Sequence, residues 1–375
     1  VAGLPRGRAP IGAGRGRGYG RVELSDMTIR RANLSDPAGL ITWLTGTAPT
    51  VAPAEPGGES PADGRLGITI AWRPVGPLLV RDSVSGTVVD TLPLTDTAAD
   101  GSVRLLLPGS SIRGAVRAHA ERIVRTLQRQ DAPDHFVDAL RQPPPGVDVL
   151  FGSAPSGTST DGASKGWRGV LTVADCHSLG RVSAEAWNEI VALSPDPVAR
   201  NDRGEREERG ERNNERDRAR SALAKKLDDV HGAFALKVSD HVAIDRWTGG
   251  ASDHRLFSVL DPDSTVAWEP IRIEVDVSRL DRHGASGETV SASMALPLLL
   301  LVLRDLRDGW LSFGYGGTRG RGQIEVTGVT FDGAGMGGPW QALAGQDLDS
   351  ILTDPPPEVL ETMTTWENAF QEVAA

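Results

Sequence analysis

The residues best suited to chemistry are arginines set among glycines. Phe313-Gly314-Tyr315 is followed by Gly316-Gly317-Thr318-Arg319-Gly320-Arg321-Gly322 and then by the alternating run Gln323-Ile324-Glu325-Val326. Glycine admits positive φ and lets a polyanion come close to the peptide N–H groups. Arginine adds a planar fork of donors matched to phosphate. An ordinary Gly-rich turn would carry the same composition, but this loop occurs twice. Gly14-Arg15-Gly16-Arg17-Gly18-Tyr19-Gly20 leads into Arg21-Val22-Glu23-Leu24. Without gaps, Gly14, Arg17, Gly18, Gly20 and Glu23 align with Gly316, Arg319, Gly320, Gly322 and Glu325. A loop and strand repeated at such a distance predict two related units in tandem. Too few residues precede the first copy to make a domain. Residues 1–45 therefore read as the tail of a preceding unit, with a disordered Gly/Arg-rich arm as the alternative.

Other reactive side chains are sparse. Cys176 is the only cysteine of 375 residues, so an internal disulfide and a Cys-based zinc site are excluded, and a reducing, cytoplasmic setting is expected. Cys176-His177 alone makes a poor metal site. No apolar run reaches membrane-spanning length, because Leu296 to Leu303 is short and contains Pro297. The Gly/Arg/Pro-rich start lacks the apolar core of a signal peptide, and no membrane partner is expected. The net charge of −10 would argue against a nucleic-acid partner if it were spread evenly. From Asp332 onward there are eight acidic residues and no Lys or Arg, which leaves −2 for residues 1–331. Residues 1–35 hold seven arginines against Glu23 and Asp26, a local +5. Local stripes of charge decide where a polyanion binds.

The elements that must position these groups follow from periodicity. Residues 21–31 alternate as a strand, Asp36 to Leu44 is a short helix, and residues 46–65 are a Pro/Gly/Ala/Thr-rich linker. A main domain spans 66–335 and opens with the alternating strand Leu66 to Trp72. Gly76 to Gly101 reads as a partly ordered long loop, and Val103 to Leu107 as a short strand. Pro108-Gly109-Ser110-Ser111 then begins a helix, with Ser110 or Ser111 available to cap it. Ile112, Val116, His119, Ile123 and Leu127 form its inward stripe, and Arg113, Arg117, Arg122, Arg125 and Arg129 lie away from it. His119 on that stripe reads as a packed, hydrogen-bonded histidine. Gly169 to Asp175 and Ile271 to Val277 are further strands. Residues 200–226 are a mixed-charge insertion, read as solvated helix or disorder. Met294 to Leu306 is a helix with Pro297 in its first turn. The last strand runs from Gln323 to Phe331. The order strand, helix, strand, strand, helix, strand is the split βαβ plan of a ferredoxin-like (RRM-like) α+β fold with large insertions. Residues 336–375 form an acidic tail with an amphipathic helix through Val359, Met363, Trp366, Phe370 and Val373, to dock in cis or on a neighbour.

Three separated segments carry a resemblance. Leu107-Pro108-Gly109-Ser110-Ser111-Ile112-Arg113-Gly114-Ala115-Val116-Arg117, then Ile244-Asp245-Arg246-Trp247-Thr248-Gly249-Gly250-Ala251, then Arg307-Asp308-Gly309 with the loop at 316–322 occur in the order found in the RAMP superfamily of CRISPR-associated proteins. The chain most resembles the guide-binding backbone subunits of type III effector complexes, and residues 1–45 resemble the closing segment of a preceding RAMP unit in a multi-RAMP fusion.

That resemblance implies a subunit of a type III CRISPR ribonucleoprotein in antiviral defence. Its partners would be guide crRNA, complementary target RNA and other RAMP subunits of a multi-subunit or fused effector. The implied RNA-binding residues are Ser110, Ser111, Arg113, Arg117, Ile244, Arg246, Trp247, Gly316, Gly317, Thr318, Arg319, Gly320 and Arg321, with Arg15 and Arg17 in the first copy. The segment 238–270 corresponds to a thumb-like hairpin over the guide, where Ile244 and Trp247 wedge or stack against bases. In target-cleaving relatives an aspartate follows the first strand. Here Leu78-Leu79-Val80-Arg81-Asp82 precedes Val89-Asp90 at the family spacing, without the family's histidine and glycines. Asp82 is thus the expected catalytic and metal-binding residue of an endoribonuclease using Mg²⁺ or a similar divalent cation. The alternative is a non-catalytic scaffold without a cofactor, holding guide RNA and neighbouring subunits. A ferredoxin-like domain unrelated to RNA is the remaining reading.

Overall fold

The computed structural model describes residues 28–51, 64–83, 89–155, 166–193, 206–280 and 289–374. The first Gly/Arg loop, with Arg15 and Arg17, lies outside these residues, as does most of the strand expected at 21–31. Of that strand, Ile29–Arg30 pairs antiparallel with Thr50–Val51, and the helix Pro37–Leu44 lies between them. Asp36 caps this helix through its carboxylate, which accepts from the Gly39 N–H at 2.6 Å.

The main unit, in chain order, is β1 (Arg65–Pro74), β2 (Thr95–Thr97), β3 (Val103–Leu107), α1 (Gly109–Gln128), β4 (Leu171–Val173) and β5 (Cys176–His177). Helices α2 (Ala184–Ala192) and α3 (Arg206–Phe234) come next, followed by the hairpin β6 (Leu236–Ile244) and β7 (Ala251–Pro262). The chain closes with β8 (Ile271–Asp276), α4 (Thr289–Arg307), β9 (Ile324–Ala334) and α5 (Pro357–Ala374). This is a mixed α+β architecture. The central sheet has the order β9-β1-β8-β4, with each pair antiparallel.

Alternation explains the sheet. Leu66, Ile68 and Ile70 of β1 are buried together with Ile271, Ile273 and Val275 of β8, because successive side chains of a strand point to opposite faces. The opposite face is polar and carries ion pairs such as Arg73–Glu325, at 2.6 Å. Helices α1 and α4 contact each other and the edge strands β4 and β9 respectively, which closes the core over the apolar face. Full burial of side chains such as Ile112 and Leu299 contributes about 1.5–3 kcal/mol each relative to exposure.

The inward stripe of α1 starts as expected, with Ile112, Val116 and His119 buried, then rotates to Ala120 and Val124. Ile123 is only partly buried and Leu127 is exposed. A 3.6-residue period drifts away from a straight line of fours and threes over five turns. His119 accounts for the polar position in that stripe: its Nε2 is 2.8 Å from Asp305 Oδ2 of α4. Helix α4 begins at Thr289, so Pro297 lies in the helix interior and not in the first turn. There it removes one backbone donor from the ladder.

The partly ordered loop expected at 76–101 and the solvated helix or disorder expected at 200–226 both have defined roles. Within 76–101, residues 89–97 are ordered: the Asp82 N–H donates to Leu92 O at 2.9 Å, the Leu94 N–H to Val80 O at 2.7 Å, and β2 pairs with β3. Together with β5 on the far side of β3, they form a second small sheet. The charged insertion continues into α3, whose second half buries Leu223, Leu227, Val230 and Phe234 at spacings of four, three and four. Phe234 packs edge-on against Trp187 of α2, with ring centroids 5.9 Å apart. The tail helix α5 packs in cis on α4 and α1. Val359 is buried, and Met363 and Trp366 are partly buried against the core. The side chains of Phe370 and Val373 lie outside the described residues.

Candidate nucleic-acid interface

Segments from three distant parts of the sequence meet beside the end of the sheet: the Gly-rich loop, the base of the β6–β7 hairpin, and residues 76–82 with 89–92. The Gly-rich loop makes one short 3₁₀ turn at Gly317–Arg319, flanked by Gly316 and Gly320 in the left-handed conformation. Its stem is closed by Phe313 N–H donating to Gly322 O at 2.9 Å. The loop is joined to residues 76–82 by Tyr315 N–H donating to Leu79 O at 2.8 Å and Gly322 N–H donating to Pro77 O at 2.9 Å. Two glycines are required by this approach. A Cβ on Gly314 would lie 2.2 Å from Leu79 O, and one on Gly322 would lie 1.9 Å from Phe313 O, both at positive φ.

The hairpin base is tied to the same region. Thr91 bridges Val259, and its N–H donates to Ser258 O at 3.1 Å. The Asp90 carboxylate accepts from the Ser258 N–H at 2.7 Å and lies 3.2 Å from its hydroxyl. The Val89-Asp90 dipeptide flagged by spacing thus anchors the hairpin.

The hairpin tip is a separate small structure. Asp245 Oδ1 accepts from the N–H groups of Trp247 at 2.7 Å and Thr248 at 3.2 Å. The Asp245 N–H donates to Gly250 O at 2.8 Å, and Gly249 supplies the positive φ. This Asx-type turn pushes Trp247 outward until it is 96% exposed. Ile244, Val242 and Leu256 are exposed on the strands below it, and Arg246 is exposed beside it. A soluble domain gains nothing in folding from a fully exposed indole, so its geometry suits a ligand with flat apolar faces.

The arginines divide into different environments. Arg319 is exposed; its guanidinium lies 5.0 Å from the Phe257 ring centroid and 5.8 Å from that of Tyr315. Arg321 points inward and is only 6% exposed, held by both oxygens of Asp261. Its Nη2 also meets His241 Nε2, and the His241 ring stacks on Phe257 at 5.2 Å. Burial pushes the His241 pKa below the usual histidine value. Arg321 and Arg319 add to that shift, while Asp261 and Asp240 oppose it. Arg113 and Arg117 of α1 are part-buried. Arg113 Nη2 donates to Phe151 O at 2.6 Å, and its guanidinium covers the Phe151 ring. Arg117 donates to Glu121 at 2.8 Å and to Gly152 O at 3.3 Å. Both tie α1 to the C-terminal end of the short helix Val147–Phe151, Arg113 at its last residue and Arg117 at the residue after it.

Ser110 and Ser111 are half-buried in the first turn of α1, whose N-cap is Pro108 with no side-chain cap of its own. The capping expected of them falls to Asp175, which accepts from the Gly109 N–H at 2.7 Å. A carboxylate already at that helix terminus competes with any phosphate there. Asp82 is half-buried at the edge of residues 76–82, with the Ser83 hydroxyl 3.2 Å from its carboxylate. Among the described residues no group of three His, Cys, Asp or Glu side chains is placed to hold a metal ion.

The site therefore brings together Gly316, Gly317, Thr318, Arg319 and Gly320 with the hairpin that carries Ile244, Arg246 and Trp247. It sets Ser110, Ser111, Arg113 and Arg117 on a different helix. Asp261, His241 and Phe257 were not legible as site residues, because nothing in the sequence links a strand at 236–262 to a loop at 313–322. The nearest signal was Asp261 itself, an acidic residue directly after the mostly apolar run Phe257-Ser258-Val259-Leu260.

No helix among the described residues is long and apolar enough to cross a membrane. A search of curated proteins returns no match. The RAMP superfamily family model matches residues 76–325, which takes in the Gly-rich loop, the hairpin and both core helices. This chain belongs to the RAMP superfamily, which gives it a CRISPR-associated RNA-binding role with RNA and other Cas subunits as partners.

Proposed function

We propose that the chain is a ferredoxin-like backbone subunit of a type III CRISPR effector, holding guide RNA between its hairpin and its Gly-rich loop. The observation that carries this reading is the pairing of a fully exposed Trp247 with a hairpin base bonded to the Gly-rich loop and to residues 89–92. A hairpin fixed at its base and aromatic at its tip can part successive bases, with Trp247 stacking and Ile244 wedging beside it. Arg246 and Arg319 neutralise phosphates, and the N–H groups of Gly316 and Gly317 approach the backbone where no Cβ intervenes, while those of Arg319 and Gly320 close the 3₁₀ turn. The sheet order β9-β1-β8-β4 supports the ferredoxin-like assignment, because it is the fourth-first-third-second order of a split βαβ unit. Recovery of RNA with the assembled complex tests the proposal, and a complex that purifies free of RNA contradicts it.

A second reading, assistance to target cleavage, rests on Asp82 being placed beside the Gly-rich loop through Leu79. Mg²⁺ characteristically takes one or two carboxylates plus substrate phosphates and water. Here Asp90 is engaged by Ser258, so Asp82 fits as a single protein ligand within an RNA-bound site. A divalent cation held there by Asp82 and RNA phosphates would supply Lewis acidity at the scissile phosphate. The part of Asp82 is to orient that assembly and the attacking 2′-hydroxyl. Incubating the assembled complex with guide, complementary RNA and Mg²⁺ separates the readings. Cleavage lost in Asp82→Ala with target binding retained supports catalysis, and absence of cleavage by the wild type leaves the scaffold.

A further inference from the structure

Building on the RNA-binding reading above, we propose that Arg321, Asp261 and His241 form a latch that aims the hairpin. Arg321 is then a positioning residue and not a guide-phosphate contact. The two loop arginines are two residues apart yet point differently. Gly320 and Gly322 both take positive φ, which reverses the chain on either side of Arg321 and turns it inward while Arg319 stays at the surface. Asp261 lies one residue before the end of the hairpin's second strand and is 0% exposed. With both its oxygens on the Arg321 fork and Nη2 also at His241, the guanidinium joins β6, β7 and the Gly-rich loop at one point. A buried pair of this kind adds little net stability against an apolar pair of equal size, yet losing one partner strands an uncompensated charge. Such a contact therefore fixes geometry more than it adds to stability.

His241 sets a condition on the latch. To accept from Arg321 Nη2, its Nε2 must be unprotonated, so its proton sits on Nδ1. The charged groups that act on it are Arg321, Asp261, Arg319 and Asp240. Protonation would turn an acceptor toward a donor and a cation toward a cation. The open hairpin takes up that proton more readily than the latched one. The latch is thus complete above the ordinary histidine range and weakens as pH falls through and below it.

The test measures hydrogen exchange of the hairpin amides in the purified chain, together with binding of a fluorescein-labelled single-stranded RNA across a salt series. Arg321→Met should reduce hairpin protection by about tenfold or more, because Asp261 is left buried and unpaired. The paired variant Arg321→Met/Asp261→Leu should recover protection and RNA affinity, with an unchanged slope of log affinity against log salt. Arg319→Gln, by contrast, should make that slope shallower by about 0.7, the value of one phosphate contact on single strands. In the wild type, hairpin protection should fall on acidification, and His241→Gln should remove that dependence. A paired variant whose slope is shallower by about 0.7, with hairpin protection unmoved in Arg321→Met, would overturn the latch and make Arg321 a phosphate contact. If Arg321→Met does not fold, the paired variant and the His241 series still decide. A wild type that binds no RNA removes the functional reading, and the exchange measurements then judge the latch alone.

Discussion

Replacing Trp247 by alanine separates RNA contact from folding. The indole is 96% exposed, so its removal takes away almost no packing. The turn that carries it is held by the Asp245 carboxylate and backbone bonds, none of which involves the indole. Stability should stay within about 0.5 kcal/mol of wild type, as for surface substitutions generally. If the indole stacks on one base, alanine costs about 1–3 kcal/mol of binding. At 1.4 kcal/mol per decade that is roughly a 5- to 150-fold rise in Kd. Fluorescence anisotropy with single-stranded RNA at one fixed salt concentration reads the change, since affinity for a polyanion itself falls with salt. Trp247→Phe should keep much of the affinity, because a π-face remains. An unchanged Kd in Trp247→Ala, with an unchanged denaturation midpoint, would refute the stacking argument.

Other outcomes follow from the same geometry. Gly322→Ala forces a Cβ to within 1.9 Å of Phe313 O at positive φ. It should lower stability by more than ~2 kcal/mol, read by urea denaturation, because the left-handed conformation alone costs about 1–2 kcal/mol. Burial of Asp305 opposes its charged form, but hydrogen bonds from His119 and Arg304 outweigh that and leave its pKa below the usual carboxylate value. Its contribution is therefore present above the ordinary Asp range and lost as pH falls through its folded value. Acid unfolding should begin at higher pH in His119→Gln than in wild type. The Cys176 thiol is pushed up to about 12, chiefly by burial, with Glu269 adding to the shift. It should resist a thiol reagent in the native chain and react at the rate of global unfolding in denaturant.

The strands and the start of α1 were legible because a half-buried sheet must alternate and a buried helix must repeat near four and three. Leu66, Ile68 and Ile70 show the first pattern, and Ile112, Val116 and His119 the second. The same logic found the tail helix, although only tertiary contact could show that Val359 packs on its own core. What stayed hidden depends on long-range pairing. Residues 89–97 carry turn-forming Pro93 and Thr/Asp positions; Thr95–Thr97 become strand by pairing with β3, while the N–H groups of Thr91 and Leu94 go to Ser258 of the hairpin base and to Val80. The second half of α3 read as solvated because ten basic and seven acidic residues precede or surround its apolar stripe between 200 and 226. Gly-Arg spacing identified the loop but not the direction of each arginine. Arg319 and Arg321 are the same residue type on either side of Gly320, yet one stacks at the surface and the other is buried on Asp261. That difference lies in backbone dihedrals and in a partner sixty residues away.

The central claim is that RNA lies between the hairpin tip and the Gly-rich loop. Photocrosslinking of the chain to single-stranded RNA carrying 4-thiouridine, with the attachment points mapped by mass spectrometry, tests it most directly. The account predicts adducts on residues 244–248 and 315–320. Adducts confined to the charged helix Arg206–Phe234, or none at either predicted segment, would contradict it.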